Sequence, residues 1–232
     1  DIGWGLDYDY LKLFGFQEVP HKKYLNDFLT GQYPGSFGRG ELYNSDPTSG
    51  DARLCGTTAS LCGIEKALWD QNEGELEQAV RFDIMLHGYM FVQSGIPVLY
   101  SGDEVGQLND YSYHEDPDKC QDSRYIHRGH FQWDLAKERR EKGTMQNQIF
   151  ETLSMMEEIR RSHKVFDTTA DVWTLDTWDD AVLGIGRWKD GEKLIALFNF
   201  SGQDRTAWIN EDDGEYTDHL TGAAMKASGV QI

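Results

Sequence analysis

The stretch Ile96-Pro97-Val98-Leu99-Tyr100-Ser101-Gly102-Asp103-Glu104-Val105-Gly106, with the polar segment that follows it as far as Asp122-Ser123-Arg124-Tyr125-Ile126-His127-Arg128, decides the fold class of this chain. Its apolar run, Ile96, Val98, Leu99 and Tyr100, lies between Gly95 and Ser101-Gly102. That is the length and composition of a strand buried on both faces, as in the parallel sheets of α/β proteins. Such strands carry function at their carboxyl ends, and this end delivers Asp103 and Glu104 as pocket-lining candidates. About twenty residues later comes Arg124, whose two-pronged fork suits a carboxylate or a vicinal diol. The alternative is that the two acids cap the next segment and face water.

Upstream, Leu76, Ala79, Phe82, Leu86, Tyr89 and Met90 form one helical stripe, widened by Val80, Ile84, Met85 and Phe91, and predict a largely buried helix over 73–93. A helix followed by a parallel strand is the unit of a βα barrel or a doubly wound sheet. Ala59, Leu61, Ile64, Ala67 and Leu68 predict another helix from Thr57 to about Asp70. Residues 1–57 are rich in aromatics and turn chemistry. A helix over Tyr8–Phe14 is stopped by Gly15, and a second, after Pro20, is ended by Gly31. Stretches 33–40 and 44–51 show turn residues with little periodicity.

Downstream, Met145, Ile149, Leu153, Met156 and Ile159 mark a helix over Thr144–Lys164, with Arg160, Arg161, His163 and Lys164 placed to suit its dipole. From Val165 the pattern turns to strands: Val172–Leu175, Val182–Trp188, Lys193–Phe200 and Thr206–Ile209, with Lys189-Asp-Gly-Glu192 as a tight hairpin. The tail from Glu211 reaches no further strong strand, so the expectation is a small, incomplete antiparallel domain.

The chain has 232 residues, with 22 Lys and Arg against 40 Asp and Glu, a formal charge of −18. Such a chain repels phosphate backbones and anionic lipid, which argues against nucleic acid and membrane surfaces as partners. No apolar run approaches the roughly 20 residues needed to span a bilayer. Asp1 enters directly into Ile-Gly-Trp, as if the sequence opened in mid-element. Cys55, Cys62 and Cys120 cannot all pair within the chain and read as reduced thiols, favouring a cytoplasmic setting. The segment His114–Asp122 lacks the glycine and terminal glutamate of a calcium-binding loop and reads as a solvated polar loop, so no metal is expected.

Asp1-Ile-Gly-Trp4, Gly35-Ser-Phe-Gly-Arg-Gly40, Thr48-Ser-Gly-Asp-Ala-Arg53, Gly56-Thr-Thr-Ala-Ser60, Gly102–Asp110 and Asp122–Arg128 together resemble the amylosucrase group of the α-amylase family, glycoside hydrolase family thirteen. The resemblance keeps order and spacing over roughly residues 1–128 and continues more weakly beyond. It implies an α/β fold, the C-terminal part of a (β/α)8 barrel followed by a small antiparallel β-sandwich. Residues 1–57 would be the insert after strand seven, 73–93 helix seven, 96–100 strand eight and 144–164 helix eight. The implied domains are 1–164, a partial barrel, and 165–232, an antiparallel β domain.

The implied activity is retaining transfer of a glucosyl unit from sucrose or an α-glucan, which requires a carboxylate nucleophile and an acid, with a third carboxylate supporting the transition state. By this register Asp1 matches the second Asp of a His-Asp-Asp-Ile-Gly-Trp motif, and none of the three lies in this chain. No catalytic residue is therefore assigned, and the isolated chain is expected to be inactive.

The resemblance does imply substrate-binding residues: Asp1 and Arg124 as an acid and base paired beneath the innermost glucose, and Arg53 on the insert. It implies a sugar and the N-terminal part of the barrel as partners, and no cofactor. Where amylosucrases tend to carry His-Arg this chain has His21-Lys22, and Lys lacks the planar fork. Two other readings stand: an amylase or α-glucosidase of different donor preference, and a non-catalytic carbohydrate-binding module stacking sugars on Trp173, Trp178, Trp188 or Trp208. Against the last, these tryptophans fall within strand patterns, where Trp is more often core.

Overall fold

The computed structural model describes residues 7–211 and 214–227, so the expectations for Asp1 lie outside the described residues. The described architecture is mixed α/β, with one three-stranded antiparallel sheet and two two-stranded ones. The chain forms two compact units: one runs to Asp83 and resumes over Tyr100–Gln146, the other comprises Ile84–Leu99 and the chain from Asn147 on.

In the first unit, α1 (Tyr8–Leu11) is capped by the Asp7 side chain, which accepts from Tyr10 N. A 3-10 turn (Lys12–Phe14) then stops at left-handed Gly15, where the sequence places the stop. α2 (Glu18–Leu29) starts two residues earlier than Pro20, which sits in its first turn, where a missing N–H leaves no intrahelical bond unmade. The irregular stretch after α2 contains a hairpin that the sequence does not announce. β1 (Glu41–Tyr43) pairs antiparallel with β2 (Arg53–Cys55), and three residues each are too few for a period-two pattern. The single helix expected from Thr57 is two, α3 (Thr58–Leu61) and α4 (Ile64–Trp69), because Gly63 takes φ +99 and breaks the run. α5 (Glu73–Val92) follows as expected. Edge-to-face contacts Phe28–Phe37 at 5.0 Å and Phe37–Phe82 at 5.8 Å pack the insert onto its first half.

The strand expected at Ile96–Tyr100 is a correction. The segment has no ladder partner among the described residues, and Ile96, Val98 and Tyr100 are 87, 76 and 51% exposed. A parallel strand exists only between neighbours that accept its hydrogen bonds and cover its faces, and no described segment does either. The chain then makes 3-10 turns at Asp103–Val105, Tyr111–Glu115 and Ser123–His127, followed by α6 (Trp133–Glu138), a short helix absent from the expectations.

In the second unit, α7 (Met145–Ser162) buries Ile149 and Leu153. β3 (Asp171–Leu175), β4 (Val182–Lys189) and β5 (Glu192–Asn199) form an antiparallel sheet in that order. The β4–β5 turn is the expected hairpin, with Asp190 at φ +47 and Gly191 at φ +87, the pair of positive values that a two-residue turn of matching twist requires. Gly186 sits beneath the indole of Trp173, its ladder partner. A Cβ there would lie 2.2 Å from Trp173 Cε2, so no larger residue fits without expelling the ring.

Thr206–Ile209 is not a strand of the sheet. Trp208 N donates to Thr177 O at 3.0 Å, and no further ladder forms. The expectation of no later strand is also corrected, since β6 (Gly214–Thr217) and β7 (Ala224–Ala227) make a hairpin. Nor are the tryptophans uniformly core: Trp178, Trp188 and Trp208 are 76, 42 and 50% exposed, because a strand pattern cannot tell which face of a sheet is covered.

Arg160 serves a different helix from the one expected. Its guanidinium donates to the carbonyls of Phe91, Gln93 and Gly95 at the end of α5, satisfying acceptors left over by that helix. Arg187 on β4 is fully buried and does the same work: Nε donates to Val165 O at 2.6 Å, Nη1 to Val92 O at 2.8 Å and Nη2 to Asp167 O at 3.4 Å. Both guanidinium groups lie over the Phe166 ring, 5.3 and 5.4 Å from its centroid.

Candidate functional site

The β1–β2 hairpin turns one face inward. Glu41 and Tyr43 share it by alternation, and their ladder partners Cys55 and Arg53 stand opposite them. Beneath lie the 3-10 turns of the polar segment. Cys55, Tyr113 and Ile126 form a buried cluster on which Tyr43 and Tyr125 pack. Ser123 Oγ donates to Leu42 O at 2.9 Å and ties the two pieces together.

Arg124 is presented on this floor. Asp122 caps the turn by accepting from Arg124 N at 3.0 Å, and its carboxylate then receives Arg124 Nε at 2.8 Å and Nη2 at 2.6 Å. The guanidinium lies 4.5 Å from the centroid of the Tyr43 ring, and Nη1 makes no hydrogen bond among the described residues. The structure sets the candidate Arg124 over the Tyr43 ring and makes the candidate Arg53 the ladder partner of Tyr43. The third, Asp1, lies outside the described residues.

The Arg124 fork holds the Asp122 carboxyl well below its ordinary value, at about 2, and the carboxylate in turn raises Arg124. A carboxyl with a depressed pKa contributes stability that is fully present above the ordinary value and lost as pH falls through the folded one. The pair should thus persist through pH 4 and open near about pH 2. A carboxyl-carbon NMR titration of Asp122 is expected to show that midpoint, and a midpoint near the ordinary 3.8 would refute the pairing.

Asp103 and Glu104 are turned back on their own loop: Tyr100 N donates to Asp103 Oδ2 at 3.2 Å, and Gly102 N to Glu104 Oε2 at 2.8 Å. An open cleft in the first unit, about 810 Å³, runs along Leu68, Leu76, Leu108, Leu135 and Met145, and none of Arg53, Asp103, Glu104 or Arg124 lines it.

Several residues that shape the site carry no local sequence signal. Tyr113 donates its hydroxyl to Glu41, His114 Nε2 lies 2.9 Å from Glu41 Oε1, and the Tyr113 and His114 rings stack 4.2 Å apart. Burial, reinforced by Glu41, pushes the Tyr113 phenol up and keeps it a donor. Asn109 accepts from Thr57 N at 2.8 Å, takes Ser60 Oγ on its own N–H at 3.0 Å and donates to Arg39 O, which fastens the polar segment to the insert.

His127 accepts from Gly56 N on Nδ1 at 3.3 Å, and burial, then the Arg128 charge, push its pKa down, so the ring is a neutral acceptor there. Lys22, which stands where the resemblance expects Arg, is buried and pairs with Glu18 at 2.9 Å and with Asp51, under the Tyr8 ring. It pins the insert loop to α2. Burial pushes the Cys55 and Cys62 thiols up, which suits packing rather than nucleophilic attack.

No family model matches the chain. Over 137 residues, 58% of its length, it is 30% identical to the glucosylglycerate phosphorylase of Escherichia coli strain K12. The chain spans about a quarter of that relative, the match covering 24% of its length. The similarity supports a distant relation to a glycosyl-processing enzyme.

Proposed function

We propose that this chain is part of an amylosucrase-like, retaining glucosyl-transferring enzyme, acting on sucrose or an α-glucan, and that the Arg53–Tyr43–Arg124 face supplies part of its sugar-pocket wall. The observation that carries the reading is Arg124 set over the Tyr43 ring with Asp122 gripping its fork, and Arg53 opposite Tyr43 in the β1–β2 ladder. A neutral sugar is poorly served by a bare guanidinium, whose charge it cannot balance. Paired with Asp122, Arg124 offers fixed donors and acceptors with little net charge, and its Nη1 remains for a hydroxyl or for the Asp1 carboxylate. A tyrosine ring beside it gives the C–H face of a pyranose an apolar partner.

Under this reading the chain's own residues bind and orient the glucosyl unit. The nucleophile and the acid, which retaining enzymes hold about 5–5.5 Å apart, come from outside residues 1–232. The similarity to a glucosylglycerate phosphorylase favours a second reading, in which inorganic phosphate rather than water or sugar accepts the glucosyl unit.

The test supplies the chain, joined to the preceding barrel segment, with sucrose, maltoheptaose or glucosylglycerate, each with and without phosphate. Fructose release or glucan elongation supports the first reading. Glucose 1-phosphate formed only with phosphate selects the second. No product from any donor would sink both, and turnover by the 232-residue chain alone would show that the catalytic carboxylates have been misplaced.

A further inference from the structure

We infer that Glu41 is a positioning residue for the proposed sugar wall: Tyr113 and His114 clamp its carboxylate, and the clamp sets the Tyr43 ring over which the Arg124 guanidinium lies. The inference rests on the proposed function for what Arg124 binds, and all its residues belong to the first unit. β1 is three residues long and has one strand as its neighbour, so its ladder alone holds it weakly. Whatever else fixes β1 therefore fixes Tyr43. Glu41 and Tyr43 stand two residues apart on one face of β1, and Tyr113 serves both. Its hydroxyl donates to Glu41 Oε2, and its ring belongs to the Cys55–Tyr113–Ile126 cluster against which Tyr43 packs.

Tyr113 is 5% exposed, so its phenol has little water to turn to without Glu41. His114 takes the other oxygen, with Nε2 2.9 Å from Glu41 Oε1, and because a carboxylate only accepts, Nε2 carries the proton. The His114 ring stacks on that of Tyr113 at 4.2 Å, so the two donors are held as one block. From this clamp the contacts run outward along β1 to Tyr43, from its ring to the Arg124 guanidinium at 4.5 Å, and from Arg124 to Asp122. Without the clamp a three-residue strand frays, and the Arg124 fork loses the ring on which it rests.

The test uses the chain joined to the preceding barrel segment, labelled with 15N-arginine and assayed with the donor it turns over. Arg124→Lys assigns the Arg124 Nε–H resonance, which the ring current of Tyr43 displaces. Glu41→Leu should move that resonance and raise the donor KM about tenfold at nearly unchanged kcat. Glu41→Gln should restore most of both, since the amide oxygen accepts from Tyr113 while its NH2 donates to the other tautomer of His114. Tyr113→Phe, which keeps the buried ring, should move the resonance and raise KM about threefold. An Arg124 resonance unmoved in both Glu41→Leu and Tyr113→Phe overturns the inference, and so does a Glu41→Gln enzyme no better than Glu41→Leu. A fall in kcat at constant KM, the mark of a smaller active fraction, overturns it too. A displaced resonance in an enzyme that turns over no donor would remove the pocket reading and leave Glu41 as the residue that positions Tyr43 and Arg124.

Discussion

Arg187→Met lowers the unfolding free energy by about 3–5 kcal/mol, the range for removing one side of a buried charged network. Methionine keeps the volume of the arginine stem, so the loss isolates the hydrogen bonds. Two carbonyls, of Val92 and Val165, lose the donors they take from Arg187, and that of Asp167 keeps only Ala170 N. Each buried acceptor left unmade costs roughly 1–3 kcal/mol. No carboxylate pairs with Arg187 among the described residues. The partial negative charge at the end of α5, with the Phe166 face beside it, stands in for one. Arg187→Lys should recover only part of the loss, because one ammonium cannot reach three carbonyls spread around a planar fork. Urea unfolding followed by tryptophan fluorescence measures the effect, with Arg205→Met, at a part-exposed ion pair, expected to cost under about 1 kcal/mol. A loss below about 1 kcal/mol for Arg187→Met would show that water or rearrangement satisfies these carbonyls.

Under the proposed function, Arg124→Lys reduces glucosyl transfer by the assembled enzyme nearly as much as Arg124→Ala, on the order of tenfold to a hundredfold in kcat/KM. The substitution keeps the positive charge, so a role as a mere counter-ion predicts near-normal activity. What it removes is the planar fork that meets Asp122 with Nε and Nη2 together and lies on the Tyr43 ring. A lysine would pair with Asp122 through one nitrogen and lose the stacked plane that sets Nη1 toward a ligand. The loss should fall mainly on KM, because under the proposed function the group binds a sugar that the transition state shares. An Arg124→Lys enzyme with unchanged donor KM would mean that Arg124 only fastens its loop.

Arg124 also shows where local reasoning stops. Its residue type, a fork in a polar segment, marks it as a binding candidate without any structure, and so does Arg53 on the insert. That Arg53 falls opposite Tyr43 depends on a three-residue ladder, whose register no local pattern specifies. Asp122 stands two residues before Arg124 in plain view, yet its grip on the fork follows from a 3-10 turn that presents both side chains to one side. The acids Asp103 and Glu104 illustrate the converse. Their position after an apolar run suggests a pocket, and their carboxylates instead close hydrogen bonds within their own turn.

Sequence by itself determined the long elements and the sharp stops: α5 and α7 from their repeating stripes, Gly15 as a left-handed stop, and the Asp190-Gly191 turn between β4 and β5. These rest on interactions within a few residues, where periodicity and backbone preference act directly. Tertiary structure alone decided that Ile96–Tyr100 joins no sheet among the described residues, that Trp178 faces solvent, and that Arg160 and Arg187 donate to the end of α5. Each of these is a relation between distant segments: a strand needs a neighbour to accept its hydrogen bonds, an exposed face needs a sheet to have two sides, and a helix end takes its donors from whatever folds against it.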